Sequence, residues 1–156
     1  MDQLISSLKE FQSNSVVFYH LVHGFHWNTE STLMRQSRII FEEIYKDVWE
    51  STHETSEWLR RLGAEAPYTL EEFSYHQTLG DVKPSTYCGV EMTIHLVPIN
   101  QKMISLIKVL LEQAYIRKEF GLVQYLSERL KKHQTWNWQM TSHLKLPPNP
   151  WKSLKD

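Results

Sequence analysis

FEEIYKDVWESTHETSEWLRRLG, residues 41–63, places apolar or small side chains at helical spacing and then stops on a glycine. With the residues just before it, the stripe reads Leu33, Ser37, Ile40, Ile44, Val48 or Asp47, Ser51, Thr55, Trp58, Leu62. Steps of three and four keep such positions on one face of an α-helix. Gly63 supplies the left-handed residue that ends one, and the polar residues from Asn28 to Ser31 offer N-caps upstream. So long a helix with a single core face needs other helices to cover it, and the stretch predicts a bundle.

The rest of the chain fits that reading. Leu4, Leu8, Phe11, Ser15, Phe18, Val22 and Phe25 form one stripe of a first helix, with Val16, Tyr19, His23 and His26 as a second stripe beside it. Two adjacent stripes point to burial in the bundle on one side and against a neighbouring subunit on the other. Between residues 64 and 86, Thr69 followed by Glu71, Glu72 and Phe73 predicts a short helix bounded by Pro67 and Gly80. A third long helix is expected from Ser85 or Thr86 through Val90, Ile94, Val97, Met103 or Ile104, Ile107, Leu110 or Leu111 and Ala114, with a kink or break at Pro98. The fourth carries Leu122 or Val123, Leu126, Leu130, His133, Asn137, Met140 and Leu144. The expected fold class is therefore all-α: a four-helix bundle over residues 1–146, with a short helix in the long connection between helices 2 and 3, and a Pro-containing tail over 147–156.

Composition narrows the function. The 156 residues, 41% of them hydrophobic and six of them tryptophan, suffice for one domain with a real core. Cys88 is the single cysteine, which excludes an intrachain disulfide, and the opening MDQLISSLKEF lacks the n- and h-regions of a secretory signal. The expected location is cytoplasmic. No uninterrupted apolar run approaches the roughly 20 residues of a membrane span. A formal net charge of -1 gives no bulk attraction to nucleic acid or anionic lipid.

Helix 2 also carries a chemical face. At about 100° per residue, Arg38, Glu42, Trp49, His53 and Glu57 fall within one arc, separate from the Ile40/Ile44 stripe. His53 and Glu57, at i and i+4, can reach one metal ion. Glu42 is eleven residues from His53, roughly 16 Å along the axis, and cannot join them within one chain. Either the two sets are unrelated, or helix 2 meets an antiparallel copy of itself in a second subunit. In the second case His26 and Glu42 of one chain would face His53 and Glu57 of the other, with His23, one turn from His26, as a further ligand. Such an N/O-rich site suits iron, manganese or zinc. The other reading of the same face is a solvated helix surface with an i, i+4 pair. His20 is expected to be a structural bystander, and Trp49 and Trp58 to be packing residues.

HWN at 26–28, FEEIYKDVWESTHETSEWLRRLGAEAP at 41–67 and GLVQYLSERLKKHQTWNWQMTSHL at 121–144 resemble the Dps mini-ferritins, whose second helix typically begins FEExY and ends LG. The resemblance implies a ferritin-like bundle assembled into a hollow homo-oligomeric shell of twelve subunits. It also implies a ferroxidase centre across a two-fold interface, Fe(II) and hydrogen peroxide as substrates, and ferric iron held inside. The family's first histidine corresponds to His26, the tryptophan after it to Trp27, and its helix-2 carboxylate to Glu42. Its second histidine, twelve residues after the first, falls on Arg38, and its aspartate falls on His53, with the glutamate retained as Glu57. A guanidinium cannot ligate a cation. One metal position is thus expected to be kept and the second weakened or lost, with Arg38 pairing to Glu42.

Two functions follow: an iron-oxidising store with His26, Glu42, His53 and Glu57 at its centre, or a shell or scaffold whose ferroxidase centre has degenerated. A dimeric His-metal bundle unrelated to iron storage is a third. Family members that bind DNA often use Lys/Arg-rich extensions; with only Lys152 and Lys155 near the carboxy end, DNA binding is expected to be weak or absent.

Overall fold

A computed structural model describes residues 1–145; the tail lies outside the described residues. Five helices follow one another: α1 Asp2–Asn28, α2 Met34–Arg61, α3 Leu70–His76, α4 Gly89–Ile116 and α5 Phe120–His143. Among the described residues the only β pairing is one isolated parallel bridge, Glu30 to Cys88. The heaviest packing lies within the hairpins α1–α2 and α4–α5, and α1 against α4 joins them.

The α1 stripe behaves as predicted, since Leu4, Leu8, Phe11, Ser15, Phe18, Val22 and Phe25 are all buried. Gln12, Ser13 and Asn14 are buried as well: Gln12 donates to Ser56 of α2 at 2.8 Å, and Asn14 is tied to the α2–α4 connection. Thr78 donates its amide to Asn14 Oδ1 at 2.8 Å and accepts from Asn14 Nδ2 at 3.1 Å. Its hydroxyl donates to Glu10 at 2.8 Å. The predicted short helix is α3, opened by a capping box in which Thr69 accepts from the Glu72 amide and Glu72 accepts from the Thr69 amide. Gly63, at φ +81°, ends α2 as expected.

Four expectations are corrected. The α2 core face is Ser37, Phe41, Ile44, Val48, Ser51, Thr55 and Leu59, so Phe41 and Leu59 replace Ile40 and Trp58. Leu33, at the N-cap, is largely exposed. α4 begins at Gly89, because Ser85 and Thr86 fold back onto Glu91 instead of entering the helix: Ser85 donates its hydroxyl at 2.6 Å and its amide at 2.9 Å, and Thr86 donates its amide at 3.1 Å. Hydrogen bonding from the Ser85 and Thr86 hydroxyls pulls the Glu91 carboxyl down to about 2. The inward face of α4 is then Met92, Leu96, Ile99 and Met103 rather than Val90, Ile94 and Val97. Pro98 does not interrupt it, for α4 runs unbroken from Gly89 to Ile116. Pro98 and Ile94, whose carbonyl loses its donor, both lie on the exposed side, so water can serve that carbonyl.

By length and composition α4 could cross a membrane, yet here it is a bundle member that buries Met103, Ile107, Leu110 and Ala114. Gly89 permits its approach to α2, since a Cβ there would lie 2.2 Å from Ser37 Oγ.

Polar side chains also hold the bundle together. His133 is fully buried, with Nδ1 2.7 Å from Asn100 Oδ1, while Asn100 Nδ2 donates to the His133 carbonyl at 2.8 Å. Burial first, and the neighbouring Arg129 guanidinium second, hold its imidazole well below the ordinary histidine value. The unfolded chain therefore binds a proton near pH 6.5 that the folded chain refuses. Stability should be level above that pH and fall below it, at up to about 1.4 kcal/mol per pH unit for this one residue. Urea titrations between pH 7 and 5 read the slope, and His133→Gln should flatten it.

Candidate metal centre

His26 sits in the last turn of α1 and Glu42 in the third turn of α2, so the α1–α2 turn sets their relation. That turn is anchored: the Glu30 amide donates to the Tyr87 carbonyl at 2.8 Å, and Ser31 takes a positive φ of 90°. His26 is half-buried, and its Nδ1 is a buried nitrogen with no hydrogen-bond partner among the described residues. Burial and then Arg38 hold the His26 imidazole below its ordinary value, with Glu42 pulling the other way. His26 is therefore neutral at pH 7, the form in which imidazole ligates.

Glu42 accepts a hydrogen bond from Lys46, one turn on, and this bond is the largest cause of its lowered carboxyl value. The expected Arg38–Glu42 pair is thus corrected: Lys46 is nearer, and Arg38 acts on both His26 and Glu42 as a longer-range charge. Neither Lys46 nor Arg38 can coordinate a metal at neutral pH.

The other half lies toward the opposite end of α2. His53 Nε2 is 3.3 Å from Glu57 Oε1, and Arg61 donates to Glu57 Oε2 at 2.8 Å. The side chains of His53 and Glu57 are 81% and 47% exposed, so the described residues leave this pair open to solvent. Among the described residues no three His, Cys, Asp or Glu side chains converge as a metal site. The structure brings His26 near Glu42 and His53 near Glu57, and holds the two pairs apart on α2.

His23 is occupied otherwise. Its Nδ1 lies 3.0 Å from the Tyr19 hydroxyl. Its ring lies 4.1 Å from Tyr45, nearly parallel, and 4.0 Å from Trp27. His20 is exposed. Trp58 is half-buried under the Arg61 guanidinium, 4.7 Å from its ring, whereas Trp49 is 55% exposed and touches only the rim of this cluster, through Tyr19. Lys46, Arg61 and Tyr45 went unread in the sequence. The i, i+4 spacing of Glu42 to Lys46 and of Glu57 to Arg61 was the available signal for the two cations.

The same helices recur in known proteins. The family model described as a ferritin-like domain matches residues 5–148. A Helicobacter pylori protein named DNA protection during starvation protein is 23% identical over 137 residues, 88% of this chain and 95% of that one. The X-ray structure of Dps from Thermosynechococcus elongatus superposes with a TM-score of 0.88 at 20% identity, covering 94% of this chain and 92% of that one. A Vibrio cholerae O1 Dps structure, described as a member of a broad superfamily of ferritin-like diiron-carboxylate proteins, does so at 0.86 and 22% identity, covering 92% and 90%. The chain belongs to the ferritin-like domain family. Within it the bundle, with a short helix in the long connection, is that of a Dps-family mini-ferritin, in keeping with the resemblance read from the sequence.

Proposed function

We propose that the protein oxidises and stores iron, with its oxidation centre formed between two subunits: His26 and Glu42 from one chain, His53 and Glu57 from the other. Iron binding and oxidation are chemistry at the level of the family. The observation that carries the reading for this chain is the neutral imidazole of His26 beside the Glu42 carboxylate. Its Nδ1 is buried, so Nε2 is the ring nitrogen left to meet a cation between subunits. Two imidazoles and two carboxylates around one position suit Fe(II).

A head-to-tail pairing of two α2 helices about a two-fold axis generates two equal centres per dimer. The exposed face available for it includes Trp27 and Trp49, 65% and 55% exposed, large aromatic side chains of the kind enriched at interfaces. Glu42 must exchange Lys46 for the metal, and Glu57 must share its second oxygen with Arg61. Arg38 places a permanent positive charge where the family resemblance puts a second ligand, so we assign one iron position per centre. Six such dimers would complete a twelve-subunit shell, with hydrogen peroxide as oxidant and ferric iron inside.

Anaerobic addition of Fe(II), then peroxide, with ferric absorbance followed by stopped flow, tests the reading. Fast ferric formation at one iron per chain, lost in His53→Ala, is expected. Absence of any fast phase in the parent protein would leave the scaffold reading, and a native mass of two subunits would leave the dimeric His-metal bundle. At about 150 mM salt we expect no tight complex with duplex DNA in a gel-shift assay, because a net charge of -1 leaves few counterions to release. A stable shifted band would overturn this.

A further inference from the structure

Peroxide accepts two electrons and one ferrous ion gives one. A centre with a single iron position therefore lacks half of what it needs, and one-electron reduction would release hydroxyl radical. An array of rings adjoins the proposed ligand His26. Tyr45 stands edge-on to His26 with centroids 5.3 Å apart, and His23 stacks on Tyr45 at 4.1 Å. Tyr19 lies 6.2 Å from Tyr45, and its hydroxyl is 3.0 Å from His23 Nδ1.

A phenol loses an electron readily only if its proton leaves as well, and a hydrogen-bonded base takes that proton without either group moving. With its own proton on Nε2, His23 accepts at Nδ1 from the Tyr19 hydroxyl 3.0 Å away. Among the described residues Tyr19 is the one phenol in this array with such a partner. Trp49, 4.8 Å from Tyr19, extends the array away from the iron.

We propose that Tyr19, paired with His23, is the one-electron donor that completes peroxide reduction at a single-iron centre; this rests on the inter-subunit reading above. The O–O bond breaks as Fe(II) and Tyr19 each supply one electron, and the phenolic proton passes to His23. The balance is H2O2 + Fe(II) + Tyr19–OH + His23 → Fe(III) + Tyr19–O• + His23–H⁺ + 2 OH⁻. A second Fe(II) arriving at the vacated position returns the electron, and His23 returns the proton. Two irons are thereby oxidised per peroxide in succession, through one position.

Freeze-quench electron paramagnetic resonance of the whole protein, loaded with one Fe(II) per chain and given one equivalent of peroxide, tests this. Ferric iron and a phenoxyl radical in comparable yield are expected. Tyr19→Phe keeps the ring, should still form ferric iron, and should lose the radical while hydroxyl-radical adducts of a spin trap rise several-fold. Ferric iron without a protein radical in the parent, or a signal and trap yield unchanged in Tyr19→Phe, overturns the proposal. Failure of ferric iron to form at all is instead failure of the iron reading. The pair is then judged in iron-free protein with a photogenerated one-electron oxidant, where a radical lost in Tyr19→Phe and diminished in His23→Phe supports it and an unaltered radical refutes it.

Discussion

Two inactive variants, Glu42→Ala and Glu57→Ala, should regain about a quarter of parental ferric formation when unfolded together and reassembled. Each alone lacks a ligand in every centre. In a mixed dimer the centre built from the damaged Glu42 and the damaged Glu57 carries both lesions, while the other carries neither. Random pairing makes half of the dimers mixed, and half of their centres are then intact. Ligands drawn from one chain could not complement at all, so recovery bears directly on the inter-subunit arrangement. Stopped-flow absorbance of the mixture against each variant alone reads it, and zero recovery with normal assembly would refute the composite centre. Both carboxylates are solvent-exposed and make only i, i+4 contacts with lysine, arginine or histidine, so neither change should impair folding.

Asp47→Ala should have the largest effect on stability. Arg129 is buried, with 7% of its side chain exposed, and Asp47 is its hydrogen-bonded counter-charge, shared with Lys132 at 3.1 Å. The Arg129 Nε and Nη2 have no hydrogen-bond partner among the described residues. Removing the carboxylate strands a guanidinium beside the Trp136 ring and the buried His133, at a cost of about 3–5 kcal/mol. That is a large fraction of an ordinary domain's stability. Urea unfolding measures it, and Asp47→Ala combined with Arg129→Met should recover most of the loss, because the buried charge is gone and Lys132, which also loses Asp47, is solvated. A double variant as unstable as the single one would show that packing, not charge, was lost.

The fold was legible wherever one face of a helix is apolar and the opposite face polar. α1 was read from such a face, whereas α3, which buries no residue, was read from its Thr69–Glu72 start. α4 was not, because Val90, Ile94 and Val97 offer as good a stripe as Met92, Leu96 and Ile99; which side turns inward is decided by where the Ser85–Glu91 cap starts the helix and by Gly89 meeting Ser37. On α2 the predicted Ser37, Ile44, Val48, Ser51 and Thr55 are buried, and the face departs from the prediction by one residue at two points, Phe41 for Ile40 and Leu59 for Trp58. The arc bearing Glu42, His53 and Glu57 followed from spacing alone. What spacing could not give was the state of each side chain: Lys46 on Glu42, Arg61 on Glu57 and Tyr19 on His23 depend on rotamers and local charge.

The strap from Ala64 to Cys88 has one more consequence. It is fastened to α1 through Thr78 and Asn14, while the densest packing lies inside the hairpins on either side of it. Severed at the exposed Gly80–Asp81 bond, the polypeptide becomes two helical pairs, each complete in sequence and each missing a wall. Co-produced as separate fragments, they carry all the information for mutual recognition, and the bundle can be treated as a noncovalent heterodimer that nature happens to synthesise as one piece.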